Sequence, residues 1–250
     1  MSKAIFEKGI DVSKYQGTIN WQAVALSGVK FALLRCVSTN KSGLYIDPSF
    51  ERNYAECKKY GIKVGVYYYT YALDKSYADK ELDLVFSCLD GKSFEYPICV
   101  DIEDGSTAKL GRQVGTDLLI YQLETLQNKG YYASIYTYYA YQKSYLDMAR
   151  LQGFDMAIAC YTRENYYKGA YGIWQYSSSG SVPGIKGNCD LDFSYKDYAV
   201  IIKNAGLNGF DKLEEPPITE PPTTNQIEKL KAENEMLRQK LSNIHKESEI

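Results

Sequence analysis

Short apolar runs alternate with amphipathic segments from the start of the chain to about residue 204. Runs rich in Val, Ile, Tyr and Phe predict strands over residues 9–13, 30–37, 62–70, 97–103, 131–137, 155–161, 170–176 and 188–193. Segments with helical spacing of apolar positions predict helices over 21–27, 48–60, 75–89, 110–129, 139–150 and 195–204. Pro48 suits a first helical turn after Asp47, and Gly61 and Gly130 suit the positions just past a helix end. Strands interleaved with helices predict a parallel, TIM-like (β/α) barrel. The last three strands stand too close together for full helices between them. The C-terminal part of the barrel is therefore expected to be modified, poor in βα units and open to antiparallel hairpins.

The pattern changes at Leu213. Glu214-Glu215-Pro216-Pro217-Ile218-Thr219-Glu220-Pro221-Pro222 is acidic, proline-rich and without core-forming periodicity, which reads as a spacer. A heptad follows, with Ile227, Asn234 and Leu241 at a and Leu230, Leu237 and Ile244 at d. Glu233 at g and Arg238 at e are spaced for an interhelical ion pair in a parallel dimer, and an Asn at a favours two strands in fixed register. The expected organisation is a barrel over 1–208, a linker over 209–225 and a short coiled-coil helix over 226–250, with a homodimer formed through that helix. A plain amphipathic helix or an appended tag are the alternatives.

Composition narrows the chemistry. A net charge of −2 without long basic runs argues against nucleic acid as the main partner. No apolar stretch is long enough to span a bilayer, and the first residues, Met1 to Lys8, lack the apolar core of a signal peptide. Cytoplasmic synthesis is expected. The six cysteines are dispersed, without a C-x-x-C pair, and several lie in apolar runs, so free thiols are expected. The only histidine is His245, in the tail. Ser-His and Cys-His nucleophiles and the usual His-containing zinc sites are thereby removed from the globular part. No metal or cofactor is expected, and acid–base work there rests on carboxylates, Lys, Tyr or Cys. Most of the 25 tyrosines serve as packing, although a Tyr or Trp at a strand end also offers a platform for a sugar ring.

Against that background, Tyr96-Pro97-Ile98-Cys99-Val100-Asp101-Ile102-Glu103 stands out. On an extended strand residues i and i+2 share a face, so Asp101 and Glu103 would sit side by side. Two acids forced together cannot both ionise freely, and one keeps a proton near neutral pH, as a glycosidase requires. Asp11 at the end of the first strand and Asp190 near the last add acids at two further strand ends, where barrels carry their chemistry. The plainer alternative is that these acids pair with bases such as Arg35 or Lys63.

These residues also carry a resemblance. Gly9-Ile10-Asp11-Val12-Ser13-Lys14-Tyr15-Gln16-Gly17 resembles the opening motif of the glycoside hydrolase family 25 lysozymes, the Chalaropsis-type muramidases. Val100-Asp101-Ile102-Glu103 is similar to that family's D-x-E, and Gly65-Val66-Tyr67-Tyr68-Tyr69 to its G-x-Y-H-F, with Tyr in place of the His and Phe. Ile173-Trp174-Gln175-Tyr176-Ser177 and Asp190-Leu191-Asp192-Phe193 resemble its last two segments, in the same order along the chain. The resemblance implies a modified barrel with an acidic groove and hydrolysis of the β-1,4 bond between N-acetylmuramic acid and N-acetylglucosamine in peptidoglycan, in the manner of a phage-type endolysin. It implies Glu103 as general acid, with Asp11 and Asp190 completing the acidic cluster. Asp101 would either orient a neighbouring-group intermediate or serve as the second carboxylate. Expected substrate-binding residues are Arg35, Tyr67, Tyr69, Tyr136, Tyr161 and Trp174. The competing readings are a wall-binding or scaffold protein that has lost turnover, its coiled coil supplying avidity, and a chitinase-like barrel. The longer acidic motif of the latter would need Asp where Cys99 stands.

Overall fold

In a computed structural model, residues 4–212 and 224–247 are described. The chain divides into two units, Met1–Leu213 and Glu214–Ile250. In the first, the strands are β1 (Glu7–Val12), β2 (Phe31–Asn40), β3 (Gly43–Ile46), β4 (Lys63–Tyr69), β5 (Ile98–Asp101), β6 (Ala133–Tyr138), β7 (Asp155–Ala159), β8 (Ile173–Gly180) and β9 (Cys189–Ser194). The helices are α1 (Trp21–Leu26), α2 (Phe50–Lys59), α3 (Lys75–Leu89), α4 (Gly105–Ala108), α5 (Gly111–Asn128), α6 (Tyr139–Tyr145) and α7 (Tyr198–Ala205). The sheet runs β1-β9-β8-β7-β6-β5-β4-β2, and a β1–β2 pairing closes it into a barrel, with β3 as an outer hairpin on β2. Pairing is parallel from β1 through β2, β4, β5, β6 and β7 to β8, whereas β9 runs antiparallel to both β8 and β1. The short spacing of the last strands thus has the expected consequence: β8 and β9 form a hairpin where a βα unit would not fit.

Alternation divides each strand between two cores. The outward set, including Ile10, Val12, Leu34, Val64, Val66, Ile98, Val100 and Ile135, packs with Leu82, Val85, Leu119, Leu123 and Leu126 of α3 and α5. Each such side chain contributes about 1.5–3 kcal/mol by leaving water. A second cluster, built on Phe31, Leu33, Tyr96, Ala157, Ile173 and Tyr198, joins inner-face strand residues to α7. Phe31 and Tyr96 stack there with ring centroids 4.1 Å apart. Two strand glycines make the room: a Cβ on Gly9 would lie 2.3 Å from the Phe31 ring, and one on Gly65 would lie 2.6 Å from both Leu33 and Tyr96.

Local signals explain most helix limits. Asn20, Asp74 and Asp197 cap α1, α3 and α7 by accepting from the backbone three residues on. Gly61 and Gly130, with φ of 69° and 84°, follow the ends of α2 and α5 as expected. Pro48 is not in a helix. The Asp47 carboxylate accepts from Ser49 N and Oγ, holding 47–49 as a turn, and α2 begins at Phe50. Helix α6 ends at Tyr145 because Leu146 turns extended and is buried. All six cysteines are free and buried.

In the second unit, α8 spans Thr224–Glu247. Glu233, Asn234 and Arg238 are exposed, as are Met236 and Leu237. The side chains of Ile227, Leu230, Leu241 and Ile244 lie outside the described residues, as do residues 213–223 of the linker expected over 209–225. No helix among the described residues is long and apolar enough to cross a membrane.

Candidate active site

The acids converge because of how the strands register. In the antiparallel β1–β9 pair, Asp190 lies directly across from Asp11 and Asp192 from Gly9. Asp101 is the last residue of β5, with Tyr69 of β4 on one side and Tyr136 of β6 on the other. Strand-like bonding continues one residue further: Thr70 N donates to Asp101 O at 2.9 Å, Ile102 N to Tyr136 O at 3.0 Å, and Thr137 Oγ1 to Ile102 O at 2.7 Å. This keeps Ile102 in the outer core and returns Glu103 to the face of Asp101. Asp104 then caps α4, accepting from Ser106 N at 2.7 Å. The result is a cavity of about 180 Å³ lined by Asp11, Leu33, Arg35, Tyr67, Tyr69, Asp101, Glu103, Tyr136, Tyr161 and Asp190.

Little positive charge is spent on these acids. Arg35 is the one cation among the lining residues, and its Nε and an η nitrogen both donate to Asp47, at 2.9 and 2.7 Å. Alternation with Phe31 and Leu33 sets Arg35 on the inner face of β2, and the register shifts between Arg35 and Val37 as the strand runs on towards β3. Burial alone would push the Asp47 carboxyl up, but bonds from Ser49, the Lys14 amide and Arg35 hold it below the usual range. Lys63 is bound to Glu7, away from the cavity. The alternative in which the strand-end acids are neutralised by Arg35 or Lys63 does not hold.

Unneutralised and dehydrated, the acids resist ionisation. Burial raises Glu103 from 4.5 to about 7, helped by Asp190 and Asp104. Asp101 is raised well above the usual carboxylate range by burial and then by Glu103, with Arg35 opposing, and its Oδ1 is buried without a hydrogen-bond partner. Asp11 is likewise raised by burial, Asp192 and Asp190, and shares a hydrogen bond with Asp190. Such a cluster holds protons at neutral pH and offers one of them, on the partly accessible Glu103, to whatever enters the cavity. Among the described residues no group of His, Cys, Asp and Glu is arranged to hold a metal ion.

Residues 10–185 match the sequence profile of glycosyl hydrolases family 25. The chain belongs to this family. The autolytic lysozyme of Clostridium acetobutylicum is 31% identical over 190 residues, covering 74% of this chain and 55% of that protein. The chain thus spans little more than half of that relative's length. Among solved structures, the CTP1L endolysin superposes with a TM-score of 0.70 at 20% identity, over 80% of this chain and 70% of that one. A family 25 glycosyl hydrolase from Bacillus anthracis gives 0.65 at 21% identity, over 77% and 90%. Both share the fold of this family 25 chain.

In this family 25 barrel, nine of the ten residues singled out from sequence line one cavity: Asp11, Asp101, Glu103, Asp190, Arg35, Tyr67, Tyr69, Tyr136 and Tyr161. Trp174 does not. Its Nε1 donates to the Cys160 carbonyl at 2.9 Å, and its ring packs on Tyr176 and Phe193. Alternation decides this, since Gln175 takes the inner face and turns its neighbour outward. Sequence reasoning passed over Gln175, which bonds Asp11, Tyr136 and Tyr161, and Asp192, which is buried with Oδ2 unpartnered. Asp192 was marked by its i+2 spacing from Asp190 on one strand face, whereas Gln175 had no such mark, because its i−2 neighbour is Ile173.

Proposed function

We propose that the protein is a peptidoglycan N-acetylmuramidase, hydrolysing the β-1,4 bond between N-acetylmuramic acid and N-acetylglucosamine, and that residues 1–208 are its catalytic unit. The observation that carries the reading is Glu103: a partly accessible carboxyl held near pH 7 beside a buried, proton-retaining Asp101, in a tyrosine-walled cavity. Glu103 protonates the leaving glycosidic oxygen as the bond breaks and charge develops on the sugar. Asp101 stands where it can orient the substrate's own acetamido group or stabilise the cationic ring. Asp190, towards which Asp11 shares its proton, holds the local potential negative, which favours that cation and keeps the proton on Glu103 until a sugar oxygen takes it. Tyr67, Tyr69, Tyr136 and Tyr161 supply apolar faces for the ring and polar edges for its hydroxyls.

The relatives' lysozyme and endolysin names support action on bacterial walls, and an endolysin-like role, reaching the wall after release from the cell, is part of the same proposal. Purified protein should clear Gram-positive cell walls. Lysis by Glu103→Gln at the wild-type rate would remove Glu103 as the acid.

Helix α8 is proposed to pair two copies in parallel. Its heptad sets Glu233 against Arg238 of the partner and Asn234 against Asn234, and the Leu237 position between them is exposed in the single chain. Light scattering should give twice the 28.4 kDa of one chain, and Leu237→Glu should return the monomer. A monomeric wild type at high concentration would end the dimer proposal. Hydrolysis of small substrates should survive deletion of 226–250.

A further inference from the structure

Gln175 is 2% exposed and reaches three groups of the cavity wall at once. Its Nε2 donates to Asp11 Oδ2, and its Oε1 accepts from the hydroxyls of Tyr136 at 2.9 Å and Tyr161 at 2.5 Å. The amide cannot be reversed at no cost. Asp11 Oδ2 accepts when the carboxyl is ionised, and also when its proton sits on the oxygen towards Asp190, so a donor must face it. With Nε2 committed to Asp11, Oε1 faces the tyrosines. A phenol has one proton to give, and each of these two gives it to Gln175. Burial, reinforced by Asp11 and Glu103 among the nearby acids, keeps both phenols protonated, against an opposing effect of the neighbouring Tyr136 hydroxyl on Tyr161. What remains towards the cavity on both oxygens is lone pairs.

We infer that Gln175 is a positioning residue that turns the Tyr136–Tyr161 edge of the cavity into an acceptor subsite, one that takes a hydroxyl or amide N–H of the glycan and disfavours a carbonyl or carboxylate. The inference rests on the glycan-hydrolase reading for its ligand class, and on hydrogen bonds alone for its wiring. The Tyr136 and Tyr161 rings are placed by β6 and the loop after β7, so Gln175 on β8 is the link that fixes the direction of both hydroxyls.

The wiring is tested on the whole 250-residue chain by the side-chain amide NMR signals of Gln175, assigned by their loss in Gln175→Glu. They should move in Asp11→Asn; signals indifferent to that change overturn the inference. The subsite is tested by wall hydrolysis. Gln175→Met, which offers the tyrosines only a weak thioether acceptor, should raise KM about tenfold, the loss of roughly one neutral hydrogen bond, with Tm held within a few degrees. Gln175→Glu keeps acceptor oxygens for both hydroxyls and should hold KM within about threefold, while shifting the pH profile because a second carboxyl now faces Asp11. Equal KM changes in the two variants, or none in Gln175→Met, overturn the subsite. Competition by chitotetraose and by cellotetraose, which lacks the acetamido N–H, separates the donors. Weakened competition by both sugars in Gln175→Met assigns a hydroxyl, by chitotetraose alone the N–H, and by neither refutes the subsite. A wild type that leaves walls intact sinks the hydrolase reading, whereas intact lysis with indifferent Gln175 signals sinks only this inference.

Discussion

Replacing Glu103 by Gln should cut activity sharply and stabilise the fold, and the second effect should grow with pH. Burial raises the Glu103 carboxyl from 4.5 to about 7. Because the folded value lies above the unfolded one, ionised Glu103 opposes folding. The penalty is absent below the unfolded value, grows as pH rises between the two, and is complete above the folded value. At 1.36 kcal/mol per pH unit the full difference is about 3 kcal/mol near pH 8 and under about 1 kcal/mol at pH 5. Glutamine keeps the shape and removes the charge. In a domain of this size 1 kcal/mol moves Tm by about 2–4 °C, so Glu103→Gln should melt about 6–12 °C above wild type at pH 8 and nearly with it at pH 5. Wall lysis should fall by about 10²–10⁴, the usual share of a general acid, and wild-type activity should decline as pH rises through about 7 with loss of the Glu103 proton. Paired melting curves across pH, with turbidity clearing on the same preparations, measure both. A variant no more stable than wild type at pH 8, or a gain equal at pH 5 and pH 8, would refute the reasoning.

Arg35→Met should destabilise the barrel by about 3–5 kcal/mol, since it leaves the fully buried Asp47 carboxylate without its cation. Denaturant unfolding measures this, and a loss under about 1 kcal/mol would mean that Ser49 and the Lys14 amide suffice. Gly65→Ala should lower stability by about 1–3 kcal/mol by overpacking, because the new Cβ would stand 2.6 Å from Leu33 and Tyr96 and 2.9 Å from the Pro97 carbonyl. Thermal unfolding at wild-type Tm would show that the inner aromatic layer yields instead.

The barrel and most of the lining of its candidate site were legible because both rest on short-range rules. Alternation put Asp11, Asp101 and Glu103 on inner faces, and the scarcity of histidine left carboxylates as the chemistry. The close spacing of the last strands announced the β8–β9 hairpin. What escaped depended on partners distant in sequence. Arg35 lines the cavity, but its engagement by Asp47 follows from the β2–β3 hairpin and the turn after it, which no local pattern specifies. Trp174 looked like a sugar platform, yet the inner face of β8 belongs to Gln175, whose three partners come from three other segments. Strand β3 and the one-turn α4 were too short for periodicity to register, and Pro48 was drawn into a turn by the side chain of Asp47.

Product analysis on defined peptidoglycan tests the central claim most directly. Digestion by wild-type protein, followed by borohydride reduction and identification of the new reducing ends, should yield N-acetylmuramic acid as the reduced sugar, formed about 10²–10⁴ more slowly by Glu103→Gln. Reduced N-acetylglucosamine, or walls bound without any new reducing end, would contradict the account.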